Sequence, residues 1–345
     1  MIPIQNVYYM LSYAFQVLNE QGYKNIATEQ FNNTGELMAA ILEKGIAIQI
    51  KRGLGKEYIP QTEALSSLRG KIDIAESIKT QSMLRKQLIC TYDEFSVNSI
   101  MNRIIKSTVE LLLRSNISKQ RKKNLRKLMV YFSEVDFIDL YTVNWNVQYN
   151  RNNQTYRMLI SICYLVVKGL LQTQSNGHTK LMDFLDEQRM CRLYEKFILE
   201  YYRREFKNQI TANASQIPWQ LDNEENSLLP VMQSDIMLQS GEKVLIIDAK
   251  YYEHSTQVQF DKHTLHSGNL YQIFTYVKNK EYELREKKHM VSGMLLYAKT
   301  DEEIYPNNVY QMSGNQITVR TLDLNLPFDE IARQLNIIAK SHFDL

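Results

Sequence analysis

Asp248, Ala249 and Lys250 close an unbroken apolar run, Val244-Leu245-Ile246-Ile247, and another acid, Asp235, stands before Asp248 with twelve residues between them. A continuous apolar run marks a strand covered on both faces. Residues two apart on a strand share a face, so Asp248 and Lys250 are predicted to project together while Ala249 points away. A preceding strand over about Leu228–Leu238, joined through a turn at Gln239-Ser240-Gly241-Glu242, brings Asp235 beside Asp248. Two carboxylates held this close repel, and burial pushes one of them toward its neutral form. A hard divalent cation, Mg²⁺ or Mn²⁺, removes the conflict, because it takes carboxylate oxygens together with water and substrate phosphate. A lysine on the same face can orient or deprotonate a water and stabilise charge building on phosphorus. The chemistry suited to these residues is metal-assisted hydrolysis of a phosphate ester.

A lone Asp-x-Lys is an ordinary polar strand end, so its surroundings carry the weight. A helix over about Asp186–Asn208 repeats Met190, Leu193, Tyr194, Phe197, Ile198 and Tyr201 at three- and four-residue intervals. Glu195 lies on the edge of that stripe and is a candidate third acid for the metal. Glu200 competes with it, and an ordinary flank carboxylate paired with a lysine is the alternative. Downstream, Gln272 and Tyr276 fall four apart on one face of a helix over about Gly268–Lys278, placed to steady the catalytic groups or a DNA strand. His254, His263 and His266 lie between the Asp-x-Lys strand and that helix. A polar loop is the favoured reading there, with auxiliary contact to DNA or metal as the other. The six histidines form no compact zinc signature, and no Gly-x-Ser-x-Gly occurs. Nor does any Gly-x-x-x-x-Gly-Lys-[Ser/Thr] occur, so nucleotide-driven motion must come from another polypeptide.

The elements that must position these residues divide a chain of 345 residues, more than one compact unit usually needs. A polar, glycine-containing stretch, Gln172 to Gly177, is the expected boundary between residues 1–175 and 176–345. The first region alternates helices, over Val7–Leu18, Asn98–Arg114 and Gln154–Leu171, with short strands at Lys71–Ile74 and Leu88–Tyr92. The second runs helix, strands, helix and further strands, so the fold class is mixed α/β. Lys119 to Lys127 is the densest basic run. Phosphate binding is one use for it, but a solvated helix face buried through Leu125, Leu128, Met129 and Phe132 is the favoured reading. A net charge of +3 permits nucleic acid contact without arguing for it. Cys90, Cys163 and Cys191 are too sparse for a disulfide framework or an iron–sulfur site. No basic segment precedes the apolar residues at the N-terminus, and the most apolar stretch, Leu159–Leu171, is too short to span a bilayer. A cytoplasmic protein without a membrane partner is therefore expected.

The spacing from Asp235 to Asp248-Ala249-Lys250 resembles the PD-(D/E)xK nuclease pattern, with Ser234 in place of its usual proline, and Gln272/Tyr276 resembles the QxxxY element of the RecB-like branch. The segments Ile2-Pro3-Ile4-Gln5-Asn6-Val7-Tyr8-Tyr9-Met10-Leu11, Leu68-Arg69-Gly70-Lys71-Ile72-Asp73 and Cys90-Thr91-Tyr92-Asp93-Glu94-Phe95, followed by Asn98 and Asn102, are similar to the McrC family. That family is the nuclease subunit of McrBC-type restriction systems for modified cytosine. The resemblance covers nearly the whole chain. It implies a restriction-endonuclease-like core in residues 176–345, acting on double-stranded DNA. It further implies an N-terminal region, residues 1–175, that docks on a hexameric McrB-like AAA+ GTPase and stimulates it. By the same resemblance Asp235 and Asp248 are metal ligands, Lys250 is the catalytic lysine, Glu195 is a further acidic ligand, and Mg²⁺ or Mn²⁺ is the cofactor. A non-catalytic adaptor of the AAA+ partner and a free-standing RecB-like nuclease are the competing readings.

Overall fold

The computed structural model describes residues 2–19, 33–150, 155–175, 187–223, 228–252, 256–259, 262–299 and 305–345, with the isolated positions 23, 26, 29, 31 and 153. The chain forms two compact units, Thr28–Phe184 on one side and Met1–Ala27 together with Leu185–Leu345 on the other. Both are mixed α/β. No described helix is long and apolar enough to cross a membrane.

Along the chain, α1 (Ile4–Ala14) precedes α2 (Thr34–Arg52), β1 (Glu57–Leu65), β2 (Lys71–Asp73), α3 (Ile74–Lys79), β3 (Leu88–Ser96), α4 (Ile100–Arg114), α5 (Lys119–Met129) and α6 (Tyr156–Ser175). There follow α7 (Glu187–Glu205), β4 (Thr211–Asn213), β5 (Gln216–Ile217), β6 (Met232–Gln233), β7 (Ile236–Ser240), β8 (Lys243–Lys250), β9 (Thr256–Gln259) and β10 (Lys262–Leu265). The last elements are α8 (Ser267–Glu283), β11 (Met290–Ala298), β12 (Asn308–Met312), β13 (Asn315–Leu322) and α9 (Phe328–Phe343).

In the Thr28–Phe184 unit, α2, α4, α5 and α6 pack together beside an antiparallel sheet of order β1-β3-β2. A buried polar knot ties this unit. Tyr156 Oη donates to Asn102 Oδ1 at 2.8 Å and accepts from the Gly55 N–H at 2.6 Å, while Asn102 Nδ2 donates to the carbonyls of Gly55 and Val97. The basic run forms α5, capped where the Ser118 hydroxyl accepts from the Arg121 N–H. Leu125 and Phe132 are buried beneath it and Leu128 and Met129 half-buried, so the expected buried stripe is present.

The other unit is built on a six-stranded sheet of order β12-β13-β11-β8-β7-β4. β8 runs parallel to β11, and β11 parallel to β13, while the remaining pairs are antiparallel. Helix α8 covers the face carrying Met237, Val244, Ile246, Leu295, Ile317 and Val319 through Ile273 and Val277. Leu245, Ile247 and Ala249 point the other way along β8 and are equally buried, so this strand is covered on both sides. Gly293 lets α8 sit low on the sheet: a Cβ there would lie 2.8 Å from Ile273 Cγ1 and 2.9 Å from Val277 Cγ2.

Three expectations change. The first 27 residues, read as part of the N-terminal region, fold with the C-terminal unit. Tyr9 stacks on Phe328 at 4.5 Å, Tyr13 meets Phe197 and Tyr201, and Asn6 Nδ2 donates to the carbonyls of Leu324 and Leu326, contacts that no local pattern reveals. The polar stretch from Gln172 is helical through Ser175, as the end of α6; residues 176–186, and with them the rest of the expected boundary, lie outside the described residues. The polar segment after β8 carries an antiparallel hairpin, β9–β10, where a loop was expected. His263 belongs to β10, and His254 lies outside the described residues.

Candidate active site

The β7–β8 hairpin is the base of the site. Gly241, at φ +57°, takes a left-handed turn position that suits glycine. The turn pairs Ser240 with Lys243 and runs the register out to Ile236 opposite Ile247. One step further out, Asp235 faces Asp248. Asp235 is not on a continuous strand, as the sequence suggested. The ladder breaks at Ser234, whose N–H and hydroxyl both donate to the Ser215 carbonyl, so β6 pairs with β5 and β7 joins the main sheet. In that break Asp235 Oδ2 accepts the Ala249 N–H at 3.0 Å.

Asp248 is 1% exposed, and no backbone N–H donates to either of its side-chain oxygens. Lys250 Nζ stands 2.9 Å from Asp248 Oδ2 as a charge contact, and 3.4 Å from Gln272 Oε1. Gln272 Nε2 in turn donates to Tyr276 Oη at 2.9 Å. The predicted helical pair and the predicted strand pair therefore meet. From α7, Glu195 Oε1 accepts the Cys191 thiol at 3.1 Å, and its charge bears on Asp235. Glu200 is elsewhere on the helix, paired with Arg203 at 2.8 Å. Five residues along a helix turn a side chain well away from its starting face.

The electrostatics follow from burial. The Asp235 carboxyl is pushed up to about 8 by desolvation first, and then by the charges of Asp248 and Glu195. Burial also raises Glu195 above the ordinary carboxylate range. Burial alone would lower the Lys250 ammonium, but Asp248 and Asp235 outweigh it and hold the lysine charged. The result is a fixed cation beside crowded acids.

Sequence reasoning missed several residues here. Cys191 is four before Glu195, one helical turn away, and its thiol is pushed up to about 12 by burial, so it remains a protonated donor. Asn269 precedes Gln272 by three and Tyr276 by seven, hence on the same face of α8. Its Nδ2 donates to Tyr297 Oη at 2.9 Å, and Tyr252 Oη donates to its Oδ1 at 3.4 Å. Tyr297 pairs with Lys250 across β11–β8. The spacing on α8 was a usable signal, whereas the Tyr297–Lys250 pairing had none. His266 precedes the first residue of α8 and packs edge-on against Tyr252.

Among the described residues no three His, Cys, Asp or Glu side chains converge closely enough to enclose a cation. Each acid is instead turned to a protein partner: Asp235 to a backbone N–H, Glu195 to a thiol, Asp248 to the lysine. The donor chemistry nonetheless fits a hard cation. A carboxylate this buried is rarely left without a backbone donor, and Asp248 is so placed beside a second acid pushed toward its neutral form.

Residues 5–298 match the family described as McrBC 5-methylcytosine restriction system component. The chain is 30% identical over 340 residues to the type IV methyl-directed restriction enzyme EcoKMcrBC of Escherichia coli (strain K12), covering 97% of this chain and 96% of that one. In overall fold it is similar to a half-complex from the tetradecameric assembly of Thermococcus gammatolerans McrB AAA+ hexamers with bound McrC. The TM-score is 0.50 at 18% identity, over 97% of this chain and 76% of the other. The match over most of the length agrees with the McrC-like segments of the sequence, and the chain belongs to the McrBC 5-methylcytosine restriction system component family.

Proposed function

We propose that this protein is the DNA endonuclease subunit of its restriction system, hydrolysing phosphodiester bonds of double-stranded DNA with Mg²⁺ or Mn²⁺. The observation that carries the reading is Asp248, buried without a backbone donor on either oxygen, beside Asp235 and 2.9 Å from Lys250. Asp235 and Asp248 would hold the metal, with Glu195 completing the acidic set. When bound, the cation supplies Lewis-acid polarisation of the phosphate and a more acidic water. Lys250, kept cationic by its acidic neighbours, orients the attacking water or stabilises the charge that builds on the phosphate oxygens. Gln272 and Tyr276 fix the ammonium from the helix side. Water attacks phosphorus, the opposite P–O bond breaks, and the leaving oxygen takes a proton.

The region before Gln172 is assigned to docking on an AAA+ GTPase and stimulating it, as the hexamer-bound relative suggests. Among its described residues Tyr58, Leu68, Ile74, Ile78, Met83, Leu84 and Phe95 are exposed, apolar side chains that a docked partner would cover. The test uses the full chain with and without the neighbouring AAA+ protein, on methylated and unmethylated DNA with GTP. Cleavage is expected only with the partner and a divalent metal. Mg²⁺ or Mn²⁺ should serve, EDTA should stop it, and Ca²⁺ should bind yet support little cutting because its looser geometry positions water poorly. Asp248→Ala should lose cutting and keep GTPase stimulation, since distant sites act independently. Full cleavage in EDTA overturns the metal assignment, and cleavage without the partner favours a free-standing nuclease.

A further inference from the structure

Between Lys119 and Lys127, α5 carries six cations and no acid. Arg121 faces inward, bonding Glu43 and Glu29 at 2.8 Å each and Glu36 at 3.4 Å. Lys119, Lys123, Arg126 and Lys127 are exposed and Lys122 half-exposed, and none of these five pairs with a carboxylate among the described residues. On several other helices cations have acidic neighbours, Arg114 with Glu110, Arg203 with Glu200, Lys278 with Glu281, Lys280 with Glu283 and Arg333 with Glu330, and no other described helix carries so dense a run of cations without an acid.

The contrast has a physical meaning. Like charges three and four apart on a helix repel, and Lys119 and Lys122 sit in the first turn, where the helix dipole disfavours cations. A face needed only for solubility is more stable with acids interleaved. Lys119, Lys123 and Lys127 form one row, each about 6 Å along the axis from the last. The helix runs on into a 3₁₀ turn, Val130–Phe132, where Tyr131 continues the row, 62% exposed.

We infer that this outer face of α5 binds the phosphate backbone of double-stranded DNA, in a different unit from the one that holds Asp248. The inference rests on the DNA-acting reading for its ligand. A row of lysines ending in a tyrosine, with Arg126 beside it, offers the donors that grip phosphates, and such contacts position a duplex without reading its sequence. An interfacial membrane helix needs a free apolar face, but Leu125, on the opposite side, is fully buried in the unit.

The test is binding of a fluorescent duplex to the full chain in metal-free buffer, titrated over salt, so that no cleavage is needed. Lys123→Gln/Arg126→Gln/Lys127→Gln should weaken binding at least ten-fold at moderate salt. It should make the slope of log K against log salt shallower by about 2 to 3, at roughly 0.9 per lost phosphate contact, for methylated and unmethylated duplex alike. Its melting temperature should be unchanged or higher, because the removed charges repel. Because neither metal nor cleavage enters this measurement, a chain that binds duplex as expected yet never cuts with its partner and Mg²⁺ overturns the nuclease reading alone. A triple variant with wild-type affinity and slope overturns the inference. So does one that loses the AAA+ protein or anionic vesicles while holding DNA normally.

Discussion

Lys250 Nζ lies 2.9 Å from Asp248 Oδ2, two residues back on the same face of β8, with both side chains largely withdrawn from water. Opposite charges withdrawn from water at this distance depend on each other. Lys250→Met is therefore expected to destabilise the metal-free protein by about 3 kcal/mol, as breaking a buried pair does. The double change Asp248→Asn/Lys250→Met should recover most of that loss. Each single change should also lower cleavage about 10²-fold or more. Chemical denaturation of the four proteins measures the coupling, and purely additive losses would count against a buried pair.

The Asp235 carboxyl, pushed up to about 8 by burial and its acidic neighbours, ionises near 3.8 when exposed. Between those values the folded protein holds a proton that the unfolded chain has released. Metal-free stability should then fall as pH rises through this window. Asp235→Asn cannot ionise and should flatten that part of the profile. Thermal melts in EDTA between about pH 5 and 8 decide it, and identical profiles for the two proteins would contradict the assignment.

Glu195 faces the site and Glu200 does not. Glu195→Gln should reduce cleavage by about 10²-fold or more, the range for losing one charge-stabilising contact. Glu200→Gln removes only a surface pair with Arg203, worth at most about 1 kcal/mol, and should cut normally. Comparable losses in both variants would make the effect one of helix stability.

At Gly293 the missing side chain is itself a contact. Gly293→Ala should lift α8 by pressing on Ile273, Val277 and Ile317, at about 1–3 kcal/mol. It should also lower cleavage, since Gln272 and Tyr276 ride on that helix. A denaturant melt beside a cleavage assay checks both, and full stability with full activity would mean that the neighbours give way freely.

Short-range pattern by itself determined the parts of this protein that depend on neighbouring residues. An apolar run ending in Asp-x-Lys made β8 and put Asp248 and Lys250 on one face, because strand side chains alternate. Four-residue spacing put Gln272 and Tyr276 on one face of α8, because a helix turns every 3.6 residues. Only the tertiary structure decided which of these faces meet. It closed Lys250 on Gln272, put Glu195 rather than Glu200 near Asp235, and set Asp235 in a break between two ladders. It brought Tyr297 beside Lys250 and folded the first 27 residues onto the C-terminal unit. Those outcomes join residues tens to hundreds of positions apart, and the packing and pairing that select among such meetings leave no period in the sequence.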